Sequence, residues 1–251
     1  MRSSTRHQLK TDEFRETTVT TLNWAAENRS TLIAAGIVVA VILAVVIGGY
    51  SYVSYRNQQA RGMLAAAIEK YNAPIRPAGQ PATPEMLTYA SGTERAKAAN
   101  AEFTQVVDKY SFTESGRIAR YFEGITLRDM GDTAGAEAQL NKVASGWDKS
   151  MAGLAKLALA SLYADTNQVP KAIATYKDLI DHPSKSLGKW TPQFQLAELY
   201  QNNNQPEDAR KLYQDLQKES PTSPIGQAAT QRLQALGAAP GAPPAAQPTQ
   251  Q

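Results

Sequence analysis

Two histidines and no cysteine are all that this 251-residue chain offers to soft-metal or thiol chemistry. A structural or catalytic zinc site needs three or four such ligands converging on one point. His7 lies in the N-terminal stretch and His182 just before Pro183 at a turn, so they do not build one. The missing thiols also exclude a disulfide framework, a cysteine nucleophile and a lipid-modified N-terminal cysteine. A Ser-His-Asp site would have to rest on His182, and no nucleophile elbow accompanies it, so a surface turn histidine accounts for the residue. Asp178 with Asp181 and Glu207 with Asp208 are close carboxylates on helical segments, where they solvate a face or stabilise a helix N-terminus. No glycine-rich phosphate loop occurs, since Gly48-Gly49 sits inside an apolar run. The formal charge of +3 is spread among acidic residues rather than gathered in a stripe, which argues against nucleic acid as a partner. No catalytic, cofactor-binding or metal-ligating residue is assigned, and no cofactor is expected.

What the residues offer instead is a repeated surface. Three windows, Ile118–Val143, Leu154–Leu179 and Thr191–Leu216, share one layout of helix, polar turn and helix. Aligning the small residue early in each second helix gives Ala136, Ala172 and Ala209, 36 and 37 residues apart, with Gly124, Ala160 and Ala197 twelve residues upstream of each. Antiparallel helices approach closely only where neither carries a bulky side chain at the crossing, so these pairs mark the contact within each hairpin. Large residues flank it at equivalent positions: Leu127, Tyr163 and Tyr200; Leu140, Tyr176 and Tyr213; Val143, Leu179 and Leu216. Turns fall at Gly131-Asp132, Thr166-Asn167 and Asn202-Asn203-Asn204, and Pro170 and Pro206 open the helices that follow, where the missing N–H costs little. Ala99, Phe103, Val106 and Tyr110 match the second-helix pattern of an earlier, partial unit, preceded by a helical stretch Gln58–Tyr71, and Pro224–Leu236 reads as a capping helix.

Stacked helical pairs leave a concave face lined by the first helix of each pair. Projection onto that face selects Tyr121, Ile125 and Arg128 from one unit, Leu157 and Ser161 from the next, and Phe194, Glu198 and Gln201 from the third. Of these, Ile125 and Leu157 also suit the core stripe that a packed helix buries. Tyr121, Arg128 and Phe194, aromatic or charged, suit contact with an extended peptide or a partner's amphipathic helix.

A different solvent is written into residues 31–50. No charged residue stands between Arg29 and Arg56, and Thr31–Tyr50 is Val, Ile, Ala and Leu all round the helix, without the polar face a surface helix needs. A helix of that length rises roughly 30 Å, the thickness of a bilayer's hydrocarbon core. Trp24 before it and Tyr50, Tyr52 and Tyr55 at its far end suit the headgroup layers. About thirty polar residues precede the run, unlike the short basic start of a cleaved signal peptide, so a retained signal-anchor is expected. Arg2, Arg6, Lys10, Arg15 and Arg29 precede it and Arg56, Arg61 and Lys70 follow, an imbalance that leans toward a cytoplasmic N-terminus.

The repeat windows resemble tetratricopeptide repeats, which pair helices in units of about 34 residues with small, aromatic and proline positions in this order. They depart from that pattern in being slightly long and in carrying Arg120, Lys156 and Gln193 where an aromatic is expected. The run AAENRSTLIAAGIVVAVILAVVIGGYSYVSYRNQQA, with AEFTQVVDKY followed by ARYFEGITLRDMGD, resembles the YfgM-like family of ancillary subunits of the bacterial SecYEG translocon over most of residues 15–220. The resemblance implies a bacterial inner-membrane protein with its repeats in the periplasm, whose partners are translocon subunits, periplasmic chaperones or exported chains.

The expected fold is all-α: a single N-terminal transmembrane helix followed by a tetratricopeptide-like helical-hairpin solenoid. Residues 1–30 form a polar N-terminal tail in which Leu22–Asn28 could start an amphipathic helix, and 31–55 the transmembrane helix that contacts lipid. Residues 56–92 form a membrane-proximal helix and a Pro-rich hinge loop, 93–236 the repeat domain, and 237–251 a disordered Pro/Ala/Gln tail. The functional expectation is a membrane-tethered protein-binding adaptor, not an enzyme. The competing readings are a cytoplasm-facing receptor or scaffold and a tethered enzyme with an unrecognised site. Self-association through Gln58–Tyr71 is left open.

Overall fold

The computed structural model describes residues 28–81 and 86–237. Trp24, His7, the basic residues from Arg2 to Arg15, the start of the Leu22–Asn28 segment, Pro84 and the tail beyond Gly237 lie outside the described residues. Within them the elements are nine helices: α1 (Arg29–Asn72), α2 (Gly92–Tyr110), α3 (Glu114–Asp129), α4 (Thr133–Ala144), α5 (Lys149–Asp165), α6 (Val169–Asp181), α7 (Trp190–Asn202), α8 (Pro206–Glu219) and α9 (Pro224–Gly237). The fold is an all-α, tetratricopeptide-like solenoid with a long apolar N-terminal helix.

The chain divides into two compact units between Tyr55 and Arg56. In the first, every large apolar side chain from Leu32 to Ile47 is exposed, and no part of the most apolar window is buried. In length and composition this segment of α1 is a candidate membrane span. The sequence reading separates residues 31–55 from the helical stretch Gln58–Tyr71, whereas the structure carries both in one helix. No proline interrupts it before Pro74, and Gly48, Gly49 and Gly62 meet nothing that would force a break.

The second unit is a stack of hairpins. The stretch of α1 beyond Arg56 pairs with α2, burying Ala60, Leu64 and Ala67 against Ala99, Phe103 and Val106, so the partial earlier unit is a complete hairpin. After it come α3–α4, α5–α6 and α7–α8, with α9 against α8 and α7. From α2 onward each helix packs on its chain neighbours, and first helices also touch first helices across α3–α5 and α7–α9, the arrangement of a solenoid.

The small-residue pairs sit at the crossings: Ala136, Ala160, Ala172, Ala197 and Ala209 are fully buried. A Cβ on Gly124 would come within 2.7 Å of Leu140 Cγ. Leu140, Tyr176 and Tyr213, one register position, fill the space beside them. Two of the three positions where an aromatic is expected carry polar clips instead. Lys156 Nζ lies 2.5 Å from Asp178 Oδ2, and Gln193 Nε2 donates to the Leu212 carbonyl at 3.4 Å, each joining the two helices of one hairpin.

The turns within α3–α4, α5–α6 and α7–α8 are one motif. Gly131, Asn167 and Asn204 have φ of 83°, 58° and 57°, the left-handed region that glycine enters freely and asparagine better than most residues. The next amide reaches back along the chain, Asp132 to Leu127, Gln168 to Tyr163 and Gln205 to Tyr200, at 2.9, 2.7 and 2.9 Å, which satisfies carbonyls the helix end leaves open. The Pro-rich loop is tied at its base: Arg76 N donates to the Tyr89 carbonyl and Tyr89 N to that of Pro74, at 2.9 and 3.1 Å.

Candidate functional site

The first-helix face of the hairpins carries a cleft of about 290 Å³. Its walls are α3 and α5, with Tyr71 from α1 at one end and Gln195 from α7 at the other. Five of the residues selected by helical projection line it: Tyr121, Ile125, Arg128, Leu157 and Ser161. Ile125 is buried in the central core and Leu157 packs on its edge, so both serve the floor as well as the fold.

Phe194, Glu198 and Gln201 are not part of this cleft. Phe194 packs on Tyr213, ring centres 5.5 Å apart, and Glu198 accepts from Arg232 of α9 at 2.6 Å. Gln201 takes the Tyr213 hydroxyl at 3.3 Å. Their register is that of Tyr121, Ile125 and Arg128, but α9 stands where a further first helix would stand. The position that is open between α3 and α5 is thus closed between α7 and α9. A projection of one helix carries no information about what packs over it.

Phe122, Leu154, Ala158, Gln195 and Tyr71 complete the cleft and escape the projection. Phe122, Ala158 and Gln195 form one register position, each a single residue beyond Tyr121, Leu157 and Phe194, so the repeat spacing held the signal. Tyr71 held none, because its place follows from α2 and α3 packing against the end of α1. Its ring lies 5.6 Å from Phe122 and 6.4 Å from Phe103, and Phe103 stacks on Phe122 at 5.2 Å. Tyr121 meets Phe122 edge to face at 5.3 Å. Such pairs are worth about 0.5–1.5 kcal/mol each beyond area burial, so the aromatic wall is rigid.

Polar groups are few and differently satisfied. Burial pushes the Tyr121 and Tyr71 hydroxyls upward in pKa, with the charge of Asp129 adding to the effect at Tyr71, so both remain neutral hydrogen-bonding groups. Arg128 holds Asp129 at 3.4 Å. The Gln195 Oε1 atom is buried without a hydrogen-bond partner. An unpaired buried acceptor is costly until a donor reaches it. The cleft therefore offers aromatic and aliphatic surface, a guanidinium and tyrosine hydroxyls, which suit an extended backbone with an apolar side chain.

No comparable constellation for catalysis is present in the described residues. His182 lies exposed at the end of α6, its Nδ1 3.2 Å from Asp178 Oδ1. The hydrogen bond from Lys156 holds the Asp178 carboxyl below its usual range. Among the described residues no three His, Asp or Glu side chains are grouped to hold a metal ion.

Fold and cleft together define a helical-repeat scaffold of the kind that generally binds other proteins. The family model for the tetratricopeptide repeat-like domain matches residues 23–238, and the chain belongs to that family. Two crystal structures of a putative kinesin light chain with nearly identical TPR-like repeats from Podosopora anserina, the second of a single-residue variant, are similar in fold. They are 17% and 16% identical, cover 71% of this chain and 85% and 84% of their own, and have a TM-score of 0.53. No curated protein matches the chain.

Proposed function

We propose that this protein is a single-pass membrane-tethered adaptor that holds a segment of another protein in the cleft between α3 and α5. The observation that carries the reading is the cleft itself, where Tyr121, Arg128 and Ser161 share one lining with the aromatic wall of Tyr71 and Phe122. The exposed apolar stretch of α1 supports tethering, because leaving so much aliphatic surface in water would be strongly unfavourable. Residues 31–55 form the span and 93–236 the greater part of the binding domain. The resemblance to YfgM-like translocon subunits supports a bacterial inner-membrane location, with the N-terminus cytoplasmic and the repeats periplasmic. Its partners are then translocon subunits, periplasmic chaperones or exported chains.

Photoreactive residues placed at Tyr121, Arg128 or Ser161 in intact cells, followed by mass spectrometry, test this directly. Adducts with translocon subunits, chaperones or exported chains are the expected result. Adducts with cytoplasmic proteins alone would reverse the topology, and adducts from the α6 surface but not from these positions would remove the cleft from the binding reaction.

A further inference from the structure

On the opposite edge of the α3–α4 hairpin, two connections between second and first helices frame another pocket, of about 230 Å³. Phe112 of the α2–α3 connection is 49% exposed and Trp147 of the α4–α5 connection 76%. Two large aromatic side chains with much of their surface exposed beside one pocket are the unusual feature of this edge. Between them stand three cations, Arg117, Arg120 and Lys142. The Arg117 guanidinium lies over the Trp147 ring, 4.5 Å from its centre, and so fixes the indole in place.

The anionic side of this cluster is already committed elsewhere. Asp148 is the one acid lining the pocket, and its Oδ1 accepts from the Ser150 and Met151 amides at 3.1 and 3.2 Å as the cap of α5. Its other oxygen stands 4.0 Å from Arg117, the limit of an ion pair. Glu123 lies within electrostatic reach of Arg120 and Lys142, but burial raises its pKa and its Oε1 accepts from Thr104 and Gln139 at 3.3 and 3.4 Å. The Nε atoms of both Arg117 and Arg120 are buried with no hydrogen-bond partner. A pocket lined by three cations and one acid favours a carboxylate, and Val143 and Met151 give it an apolar lining.

We propose that this pocket is a second docking surface, separate from the α3–α5 cleft, which takes an acidic peptide segment carrying an aromatic or aliphatic side chain next to its carboxylates. The apolar side chain fills the space beside Trp147 and Phe112, and the carboxylates meet Arg120 and Lys142. A concavity sized for one side chain suits a peptide better than the broad plane of lipid headgroups.

Anisotropy of fluorescein-labelled peptides with the full-length protein in nanodiscs tests it, comparing Gly-Ser-flanked Glu-Phe-Glu with Lys-Phe-Lys and Glu-Gly-Glu. Glu-Phe-Glu is expected to bind in a salt-sensitive manner and the other two at least about tenfold more weakly, the factor that 1.4 kcal/mol supplies. Trp147→Ala and Lys142→Glu, both at exposed positions, are expected to weaken it by a similar factor while leaving the helical melting curve unchanged. Tyr121→Ala, in the cleft, is expected to leave it unaffected, which separates this surface from the first. Equal binding of the charge-inverted peptide, indifference to Trp147→Ala and Lys142→Glu, or dependence on Tyr121 overturns the proposal. So does failure of Glu-Phe-Glu to bind, whether or not phosphatidylglycerol vesicles bind in its place.

Discussion

Gly116 and Gly226 stand one turn into α3 and α9, where the chain leaves a second helix and starts the next first helix. A Cβ at Gly116 would lie 1.9 Å from the Tyr110 carbonyl oxygen, and at Gly226 1.8 Å from that of Ser220. Three residues upstream of each glycine, Thr113 and Ser223 cap its amide at 3.0 Å, so hydroxyl and glycine act as one device. Because the clash is with backbone, Gly116→Ala is expected to cost about 1–3 kcal/mol or more by the usual measure of overpacking, read as a lower thermal midpoint. Gly62→Ala, with open space around it, is the control and should be neutral or slightly stabilising. Glu123 provides a second test at this scale. Its pKa is raised by burial above the ordinary 4.5, so it opposes folding only when ionised. Its contribution is therefore fully favourable below the unfolded value and is lost as pH rises through the folded one. Relative to the unmodified protein, Glu123→Gln should gain stability as pH rises above the ordinary carboxylate value of 4.5, measured by denaturant unfolding across that rise.

At the scale of elements, the hairpin turn recurs with the repeat. Gly131, Asn167 and Asn204 share their spacing with Ala136, Ala172 and Ala209, and all three enter the left-handed region. An alanine there pays a steric penalty of roughly 1–2 kcal/mol, so Asn167→Ala and Asn204→Ala should each lower the unfolding midpoint, whereas Asn→Gly at the same sites should be tolerated. The turns were legible as polar clusters; which residue of each carries the positive φ was not, since Asn202, Asn203 and Asn204 are chemically identical. Helix α1 makes the converse case. Its apolar stretch is plain in the sequence, and on the proposed membrane-tethered reading Val41→Lys with Val45→Lys should release the protein from the membrane fraction, at about 2.5–3.5 kcal/mol for each charge near a bilayer centre. Its continuation to Asn72 was not plain, because no residue between Arg56 and Asn72 distinguishes a new helix from the same one continuing.

For the molecule as a whole, stability in a hairpin stack is close to a sum of units and their interfaces. Helix α9 covers Tyr213 and Leu216 through Ile225, Ala229 and Leu233. Ending the chain after Ser220 would expose this cluster, and hydrogen exchange should then show α7 and α8 losing protection while α2 to α5 keep theirs. Retained protection in α7 and α8 would show that the cap is dispensable. The same helix decides the extent of the binding cleft, since its Arg232 occupies Glu198.

Periodicity, small-residue pairs and turn chemistry were sufficient to determine the hairpins, the capping helix and the apolar segment, because each depends on residues close in the chain. Five of the eight projected cleft residues follow from the same periodicity. The remainder belonged to tertiary structure. Tyr71 reaches the cleft only because α2 and α3 pack against the end of α1, and α9 covers the positions of Phe194, Glu198 and Gln201. The pocket of Arg117, Arg120 and Trp147 exists only where two connections meet. Periodicity tells which face a residue takes on its own helix; what lies opposite that face is set by chain segments far away in sequence, and only their packing decides it.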